Sequence, residues 1–303
     1  MLKSVAITGA TGFIGKTLLQ KLSESNWKIR ALTRSNQFDH PSIQWIHGDL
    51  HNFDALHQLI DGVEHVIHCA ATVKGGTFEE FWHTNVQGTQ NIVDLSLEQR
   101  PTPRLLLVSS LAAKLPNLSW YAQSKNLSEF ELIRRPGFEG WTIFRPTAVY
   151  GPGDKEIKPL FQMAHRGFLP VVGKIHNRFG LIHVNDLVAA ILAWLDSKKP
   201  VHGIFELDDG LTGGYSYQEV ATLAQHTWGQ SVRCIEIPDK LIRAVAYANL
   251  WCSRLLQYSP MLTPGKVNEL QHNNWVCDNT ALIRSLPAWR PRIRLQDVLS
   301  TVI

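Results

Sequence analysis

The sequence feature that most restricts the fold is a glycine-containing turn close to the N-terminus. Residues 4–8, Ser-Val-Ala-Ile-Thr, form a short β-branched run that predicts a strand, and residues 16–22 predict a helix. Gly9, Gly12 and Gly15 lie between the two. A strand, a glycine turn and a helix in this order are the setting of a dinucleotide-binding fingerprint. The chain is therefore predicted to be an α/β protein whose first turn binds a nucleotide.

Each glycine of this turn has a separate physical role. Gly9 allows a tight turn, Gly12 lets the backbone approach a pyrophosphate, and Gly15 lets the helix pack close to the sheet. Free N–H groups at the start of the helix would then bind the phosphates. The alternative is that the three glycines only shape structural turns. We predict cofactor contacts from Gly9, Thr11, Gly12, Phe13, Ile14 and Gly15.

The composition limits the class of protein. A chain of 303 residues allows one large domain or two unequal ones. Its hydrophobic share of 44% supports a sizeable core, and its charged share of 18% is too low for a disordered chain. The net charge of +4 is mild and no Lys/Arg-rich cluster is present, so we expect no nucleic-acid partner. A small positive excess favours an anionic cofactor.

The side chains that could hold a metal or form disulfides are scattered. The four cysteines include no Cys-x-x-Cys pair, so we expect reduced thiols in a cytoplasmic protein. The histidines include no His-Glu-x-x-His sequence. His65 and His68 are three residues apart on a predicted strand and should point to opposite faces. We therefore expect no metal site.

Apolar segments are too short for a membrane span. No apolar run approaches the ~18 residues that a spanning helix needs. Residues 1–3 lead directly into the first strand, which leaves no room for a signal peptide. The sequence thus predicts a protein without an integral membrane span.

The end of the second predicted strand indicates which dinucleotide is preferred. This strand, residues 28–33, ends about twenty residues after the glycines, where an acidic residue would bind the ribose 2′-hydroxyl of NAD. Arg34 follows the strand instead. A guanidinium favours the 2′-phosphate of NADP, so we predict NADP over NAD. The alternative is that Arg34 stacks on the adenine ring.

Residues 8–15, Thr-Gly-Ala-Thr-Gly-Phe-Ile-Gly, closely resemble the extended short-chain dehydrogenase/reductase superfamily and its NAD-dependent epimerase/dehydratase family. The resemblance covers nearly the whole chain, densely from residue 4 to 187 and thinly from 188 to 285. It implies a Rossmann-type doubly wound parallel sheet in residues 1–150, with contributions from about 180–207. Residues 151–303 would form a smaller C-terminal α/β substrate-binding region. The pattern is nearest to dihydroflavonol reductases and 3β-hydroxysteroid dehydrogenases.

The resemblance also implies cofactor contacts beyond the first turn. Asp49 matches the position that contacts adenine, with capping of the next helix as the simpler interpretation. Residues 63–71 predict a buried fourth strand passing under the cofactor, in which His68 would be a structural histidine. The further contacts implied are Asp49, Leu50, Cys69, Ala70, Ala71, Ser109, Pro146 and Val149.

A candidate catalytic set follows the fifth predicted strand. Tyr121 and Lys125 are four residues apart on a predicted helix, so they share a face, and a nearby cation would lower the pKa of the phenol. The alternative is an ordinary exposed pair on a surface helix. The resemblance implies that Ser110 binds the substrate oxygen, Tyr121 donates the proton and Lys125 also holds the nicotinamide ribose. It further implies that Asn85 supports the lysine region through hydrogen bonds.

The C-terminal half contains fewer motifs. Asn185 or Asp186 is predicted to cap a helix over residues 187–195. A later stripe has apolar residues at helical spacing and is consistent with core packing, with an apolar pocket, or with a lid against a membrane surface. Its members are Leu241, Val245, Ala248, Cys252 and Leu255, within a predicted helix at 239–258.

Three functions remain open from the sequence. The first is an NADP-dependent oxidoreductase for a moderately apolar carbonyl compound, the second a nucleotide-sugar epimerase or dehydratase, and the third a non-catalytic dinucleotide sensor. The gap of eleven residues between Ser110 and Tyr121 is short for epimerases of the family that the chain resembles, and no Arg/Lys pair for a diphosphate is evident. We therefore favour the first function, with a small-molecule substrate and a possible homodimer.

Overall fold

The computed structural model describes residues 3–301, so Met1 and Leu2, on which part of the signal-peptide expectation depends, lie outside the described residues. The strands of the described chain are β1 Ser4–Thr8, β2 Lys28–Thr33, β3 Ile43–His47, β4 His65–His68, β5 Arg104–Val108, β6 Trp141–Pro146, β7 Ala148–Tyr150, β8 Phe168–Val171, β9 Arg178–Phe179, β10 Leu181–His183, β11 Gly203–Leu207, β12 Tyr215–Ser216, β13 Arg233–Glu236 and β14 Asn274–Trp275. The α-helices are α1 Phe13–Ser23, α2 Phe53–Ile60, α3 Phe78–Phe81, α4 Gly88–Glu98, α5 Trp120–Ile133, α6 Lys158–His165, α7 Val184–Asp196, α8 Tyr217–Trp228, α9 Asp239–Leu256, α10 Pro264–Gln271, α11 Thr280–Ser285 and α12 Leu295–Val298.

A parallel sheet of seven strands forms the centre of the molecule, in the order β11-β6-β5-β4-β1-β2-β3. The chain leaves β1 in one direction to form β2 and β3, then returns to place β4 on the other side of β1. The predicted Rossmann-type doubly wound fold is therefore confirmed. This reversal opens a crevice at the carboxyl ends of β1 and β4, which is where such sheets bind ligands.

Helices cover both faces of the sheet because its strands are apolar on both sides. Ile7 packs in one cluster with Leu18 of α1 and Leu187 of α7. Its neighbour Ala6 packs in the opposite cluster with Leu56 of α2 and Ile92 of α4. Successive residues of β1 thus point to opposite faces, as the two-residue period of a strand requires. The three layers hold the ends of the strands in fixed relative positions.

Two predicted helix caps are wrong. Helix α7 begins at Val184, and its cap is His183, whose Nδ1 accepts from the Asn185 N–H at 3.2 Å. The carboxylate of Asp186 instead accepts from the backbone N–H groups of Arg292 and Ile293, each at 2.8 Å. Asp186 lies in the first turn of the helix, but its carboxylate turns away from the helix start and anchors a segment about a hundred residues away.

The cap of α2 also differs from the prediction. Asn52, rather than Asp49, precedes the helix, and its Oδ1 accepts from the Ala55 N–H at 3.0 Å. Asp49 accepts from the His51 N–H at 2.8 Å and remains exposed. Its carboxylate therefore closes a local turn before the helix.

Beyond Tyr150 the chain adds short two- and three-stranded sheets and a third apolar cluster. A fourth and much smaller cluster joins α9 to α10 through Ile242, Ala246 and Val267. The stripe predicted on α9 is not core. Leu241 is 56% exposed and Leu255 is 63% exposed, because nothing in the described chain covers that face. Among residues 3–301, no helix has both the length and the apolar content needed to cross a bilayer.

Candidate active site

The start of α1 is shaped to receive an anion. Gly12 precedes the helix in an extended conformation, no side chain caps the first turn, and that turn contains no acidic residue. Its N–H groups are therefore available to a phosphate, which the positive end of the helix dipole also attracts. Arg34 is exposed directly after β2, at the same edge of the sheet. This arrangement fits a dinucleotide.

Two of the three glycines are required by the packing of the protein itself. Gly9 has φ of +70°, and a Cβ there would lie 2.6 Å from the Ala70 nitrogen. A Cβ on Gly15 would lie 2.1 Å from the carbonyl oxygen of Gly9. Gly12 is different, since it is exposed and its Cβ would meet only that same oxygen, at 3.2 Å. Packing within the protein therefore disfavours a side chain at position 12 only weakly.

The ends of β1 and β4 are joined by a buried histidine. His68 Nδ1 lies 2.6 Å from Thr8 Oγ1, and His68 Nε2 lies 3.0 Å from Thr89 Oγ1 of α4. Burial, with a further contribution from Lys125, lowers the pKa of His68 to about 3, so the ring is neutral. His65 packs on the other face between Trp27 and Trp194. The predicted opposite orientation and the structural role of His68 agree with these contacts.

The structure brings the predicted catalytic side chains together at the carboxyl end of β5. Ser110 follows β5 and is half-buried, and Ser119 caps α5 by accepting from the Ala122 N–H at 2.9 Å. The cap sets the start of the helix, so Tyr121 lies in its first turn and Lys125 one turn later. The Ser110 hydroxyl lies close enough to the Tyr121 phenol to influence its pKa, and its oxygen accepts from the Ala112 N–H at 3.2 Å. The Lys125 ammonium is buried and donates to the Val108 carbonyl oxygen at 3.0 Å.

The electrostatics of this pair differ from the prediction. Burial raises the pKa of Tyr121 to about 12, the nearby Ser110 hydroxyl opposes this rise, and the charge of Glu269 adds to it. Burial lowers the pKa of Lys125 to about 8, although the charge of Glu129 opposes that change. The expectation of a lowered Tyr121 pKa is therefore wrong for the protein without cofactor, because removal of the phenol from water is the largest contribution and Lys125 is not among the groups that shift it.

Asn85 links the loop after β4 to α5. It lies in a π-helical segment, Trp82–Gln87, that separates α3 from α4 and is buried. Its Nδ2 donates to Ser124 Oγ at 2.9 Å and to the Thr72 carbonyl oxygen at 3.0 Å, while its Oδ1 accepts from the Thr72 N–H at 2.8 Å. All of its amide groups are thus engaged. Ser124 adjoins Lys125, so these bonds hold the helix that carries both site residues.

Sequence reasoning missed Glu129, which organises the back of the site. Its buried carboxylate accepts from Ser109 Oγ at 2.5 Å and from Arg145 Nε at 2.9 Å. The hydroxyl of Ser109, predicted to contact the cofactor, is therefore engaged with Glu129. The spacing of four residues between Lys125 and Glu129 is a signal that would have placed both on one helical face.

A second missed group approaches Tyr121 from α10. The Nζ of Lys266 lies 6.0 Å from the centre of the Tyr121 ring and 2.8 Å from Glu269 Oε2. Glu269 also accepts a hydrogen bond from Ser119, the cap of α5. These residues are some 150 positions from Tyr121 in the sequence, so no local pattern indicates them.

The other predicted cofactor residues lie at the same edge of the sheet, with varied exposure. Leu50 is buried, and its side chain occupies the space that a Cβ on Gly88 would need, 2.5 Å from Cδ1. Burial raises the pKa of the Cys69 thiol to about 12, so it is a neutral thiol. Thr11 and Ala71 are exposed, Phe13, Ile14, Ala70 and Val149 are partly buried, and Pro146 is buried.

A cavity of about 510 Å³ lies beside Tyr121. Apolar and aromatic side chains form most of its wall, among them Phe81, Leu118, Trp120, Leu250 and Met261. Within the described chain, Lys266 is the one cation that lines it. Metal ligands are not gathered here or elsewhere, since no three His, Cys, Asp or Glu side chains of residues 3–301 lie close enough to share an ion.

Comparison with known proteins agrees with this geometry. The chain is 36% identical over 291 residues to a ceramide reductase of Caulobacter vibrioides, covering 94% of this chain and 89% of that protein. It shares its fold with MoeE5 in complex with UDP-glucuronic acid and NAD, at a TM-score of 0.75 and 21% identity over 99% of this chain and 97% of that one. It also shares the fold of the human epimerase family protein SDR39U1 with NADPH, at a TM-score of 0.75 and 16% identity over 99% and 98% of the two chains.

A further match is to a family rather than to one protein. The model described as the NAD dependent epimerase/dehydratase family matches residues 5–207, which include the glycine turn, Ser110, Tyr121 and Lys125. This match spans the seven-stranded sheet from β1 to β11. The chain therefore belongs to the NAD dependent epimerase/dehydratase family and is an NAD(P)-dependent enzyme.

Proposed function

We propose that the protein is an NADP-dependent oxidoreductase that reduces a carbonyl group, or oxidises the corresponding alcohol, on an apolar, lipid-like substrate. The observation that carries this proposal is the cavity beside Tyr121, whose wall combines apolar and aromatic side chains with polar ones and contains a single cation, Lys266, paired with Glu269. Such a wall suits a molecule with an apolar body and a polar group rather than one with several negative charges. The identity of 36% to a ceramide reductase along most of both chains supports this substrate class.

The groups for NADP lie along the edge of the sheet. The uncapped start of α1 would bind the pyrophosphate, and Arg34 would bind the 2′-phosphate. Arg34 forms no ion pair with any residue that the structure describes, so its guanidinium is available for that contact. When bound, the nicotinamide supplies or accepts the hydride. Protein side chains would then supply the proton and position the substrate and the cofactor.

Ser110 and Tyr121 would hold the substrate oxygen and move its proton. The Ser110 hydroxyl lies close to the Tyr121 phenol, so a substrate oxygen placed between them could contact both. A phenol with a pKa of about 12 is protonated at neutral pH and can donate. This protonation state favours the reductive direction, in which Tyr121 gives its proton to the developing alkoxide.

Lys125 and Asn85 would act at the rear of the site. One of the three ammonium protons of Lys125 is engaged by the Val108 carbonyl oxygen, which leaves two donors for the ribose hydroxyls. Asn85 contacts Ser124 and the Thr72 backbone, so its proposed role is to position α5 and the loop after β4.

An epimerase or dehydratase is the second candidate, because the family includes both by name and structures of the same fold hold UDP-sugars. A diphosphate carries charge that Lys266 alone would have to offset within the cavity. This composition favours the oxidoreductase. A non-catalytic sensor has no need of Ser110, Tyr121 and Lys125 gathered at one site, which disfavours that alternative.

Three further expectations accompany the proposal, and they concern the substrate-binding region, the location of the enzyme and its oligomeric state. Residues 151–303, apart from α7 and β11, would form the substrate-binding region, and the enzyme would function in the cytoplasm. A homodimer is also expected, and light scattering of the purified protein would test it directly.

The experiment is a substrate panel read by nicotinamide absorbance and product mass. The panel contains a long-chain 3-keto lipid in detergent micelles, a ketosteroid, a water-soluble aryl ketone and UDP-glucose, each with NADPH or NADH. We expect NADPH oxidation, with one NADP⁺ released per alcohol formed, for the lipid or steroid. Conversion of UDP-glucose without net change in nicotinamide, together with inert ketones, would identify an epimerase and overturn the proposal.

A further inference from the structure

The outer side of α9 is an unusually apolar surface for a helix exposed to solvent. Trp251 is 64% exposed and Leu256 is 73% exposed. Together with Leu241, Val245, Tyr247 and Leu255 they form a surface that we call the α9 apolar face. Contiguous exposed apolar side chains on one helix mark a binding surface more often than chance exposure does.

The opposite side of the helix holds α9 in place and leaves this face free. Ile242 and Ala246 pack with Val267 of α10, and Asn249 Nδ2 donates to the Leu262 carbonyl oxygen at 2.8 Å. Arg243 pairs with Asp239 at 2.8 Å and reaches Asn268 of α10. The helix is therefore folded and anchored without any contribution from the α9 apolar face.

The charge on α9 is mainly positive. The helix contains Lys240, Arg243 and Arg254 against one acid, Asp239, which pairs with Arg243 at 2.8 Å. Lys240 and Arg254 are exposed. A helix with cations beside an apolar face rich in Trp, Tyr and Leu is the pattern of a segment that lies in the surface of an anionic bilayer.

The same charge argues against a second copy of this chain as the occupant. A symmetric dimer places identical patches against each other. Two α9 faces would then bring Lys240 and Arg254 of both copies together, while Asp239, the one acid of the helix, is engaged with Arg243. Anionic lipid headgroups supply the complementary charge.

The α9 apolar face is also continuous with the cavity beside Tyr121. Tyr247, which is exposed on the face, and Leu250, on the next turn inward, both line the cavity. Pro260 and Met261, which follow the helix, complete that side of the wall. The helix thus separates the reaction site from the surface that a bilayer would cover.

We propose that the α9 apolar face docks the enzyme on the surface of an anionic membrane, so that a lipid substrate enters the cavity past Tyr247 and Leu250. The docking stands on the exposure and charge of α9 alone. The delivery of substrate rests on the proposed function.

The test of docking is co-sedimentation of the full chain with vesicles of phosphatidylcholine, alone or with roughly 30% phosphatidylglycerol. We expect binding to the anionic vesicles that weakens as salt is raised. The double variant Trp251→Ser/Leu255→Ser should bind about 10-fold less, since the buried apolar area provides the affinity. The matched control is Phe38→Ser, which removes a side chain that is 97% exposed in the loop between β2 and β3 and should leave binding unchanged.

Three outcomes overturn the docking proposal. These are no binding of the unaltered protein to either vesicle, equal binding of the double variant, or a dimer in light scattering that the double variant dissociates while vesicles remain unbound. The last result would assign the face to a second copy.

Activity separates docking from the proposed function. The double variant should reduce a water-soluble ketone normally and a vesicle-embedded keto lipid about 10-fold more slowly. Equal slowing on both substrates would refute the delivery route. Vesicle binding combined with no ketone reduction by the unaltered enzyme would refute the proposed function and leave docking intact.

Discussion

The two ends of the cavity are built in opposite ways. On the side of α5, Lys125, Glu129 and Asn85 are buried, and each is held by hydrogen bonds to neighbouring groups. On the side of α9, three side chains, Ile242, Ala246 and Val267, form the whole buried cluster, and large apolar groups face outward. The first side is a rigid site in which charge is controlled by burial. The second is a thin wall whose outer surface is available for contact. We therefore expect substitutions on the two sides to impair different properties of the enzyme.

Among the variants considered, Tyr121→Phe should have the largest effect. It tests the catalytic role of the α5 side. The ring remains but the proton is lost, so turnover should fall by roughly 10²–10⁴-fold, the usual contribution of a positioned acid or base. NADPH affinity and the melting temperature should be unchanged. Near-normal turnover on a substrate from the panel would show that Tyr121 is not the proton donor.

Gly12→Val tests whether the turn serves a ligand or only the fold. A side chain at position 12 meets little of the protein itself, so far-UV circular dichroism should stay near normal while NADPH binding is lost. The control is Gly15→Ala, whose Cβ would overlap the Gly9 carbonyl oxygen and should destabilise the fold itself. Titration calorimetry and thermal unfolding measure the two effects. Retained NADPH affinity in Gly12→Val would leave the turn with a structural role alone.

Ile242→Ala and Leu241→Ala compare the two sides of α9. Ile242 is buried, so its truncation should lower the free energy of unfolding by ~2–4 kcal/mol. Leu241 is its exposed neighbour, and its truncation should change that free energy by less than about 0.5 kcal/mol. Urea unfolding checks both. A large loss for Leu241→Ala would mean that the face is covered within the protein and would remove the basis for docking.

Arg34→Asp tests the choice of cofactor. The loss of a charge-assisted contact with the 2′-phosphate should weaken NADPH binding by ~1.5–3 kcal/mol, or roughly 10- to 100-fold. NADH lacks this phosphate and should bind no worse. Fluorescence titration with both nucleotides provides the measurement. Equal affinities of the unaltered protein for NADPH and NADH would contradict the prediction before any variant is made.

The pH dependence of cofactor binding should report Lys125. The pKa of this ammonium is lowered to about 8, so the group is mainly charged at pH 7 and loses its charge as the pH rises through that value. NADPH affinity should therefore fall between about pH 7 and pH 9, because the charged ammonium is the form that binds. A group that had to lose its proton before binding would instead make the affinity rise over that range. In Lys125→Met the affinity should be lower at all pH values and this fall should disappear. An unchanged profile in the variant would assign the titration to another group.

The residues that the sequence identified are those whose role is set by near neighbours in the chain. Gly9, Gly12 and Gly15 predicted the strand, turn and helix that the structure contains. Tyr121 and Lys125 were placed on one helical face by their spacing alone. In each case the relevant geometry spans a few residues, so periodicity and backbone preferences were enough.

What the tertiary structure decided is the environment of those residues. The pKa of Tyr121 depends on burial and on Glu269, which lies about 150 positions away on α10. Glu129 engages Ser109, which the sequence had assigned to the cofactor. On α9, spacing showed that Leu241, Val245 and Leu255 share a face, but whether anything covers that face depends on how distant elements pack. Periodicity determines which side chains point together, whereas burial and charge depend on what the rest of the chain brings against them.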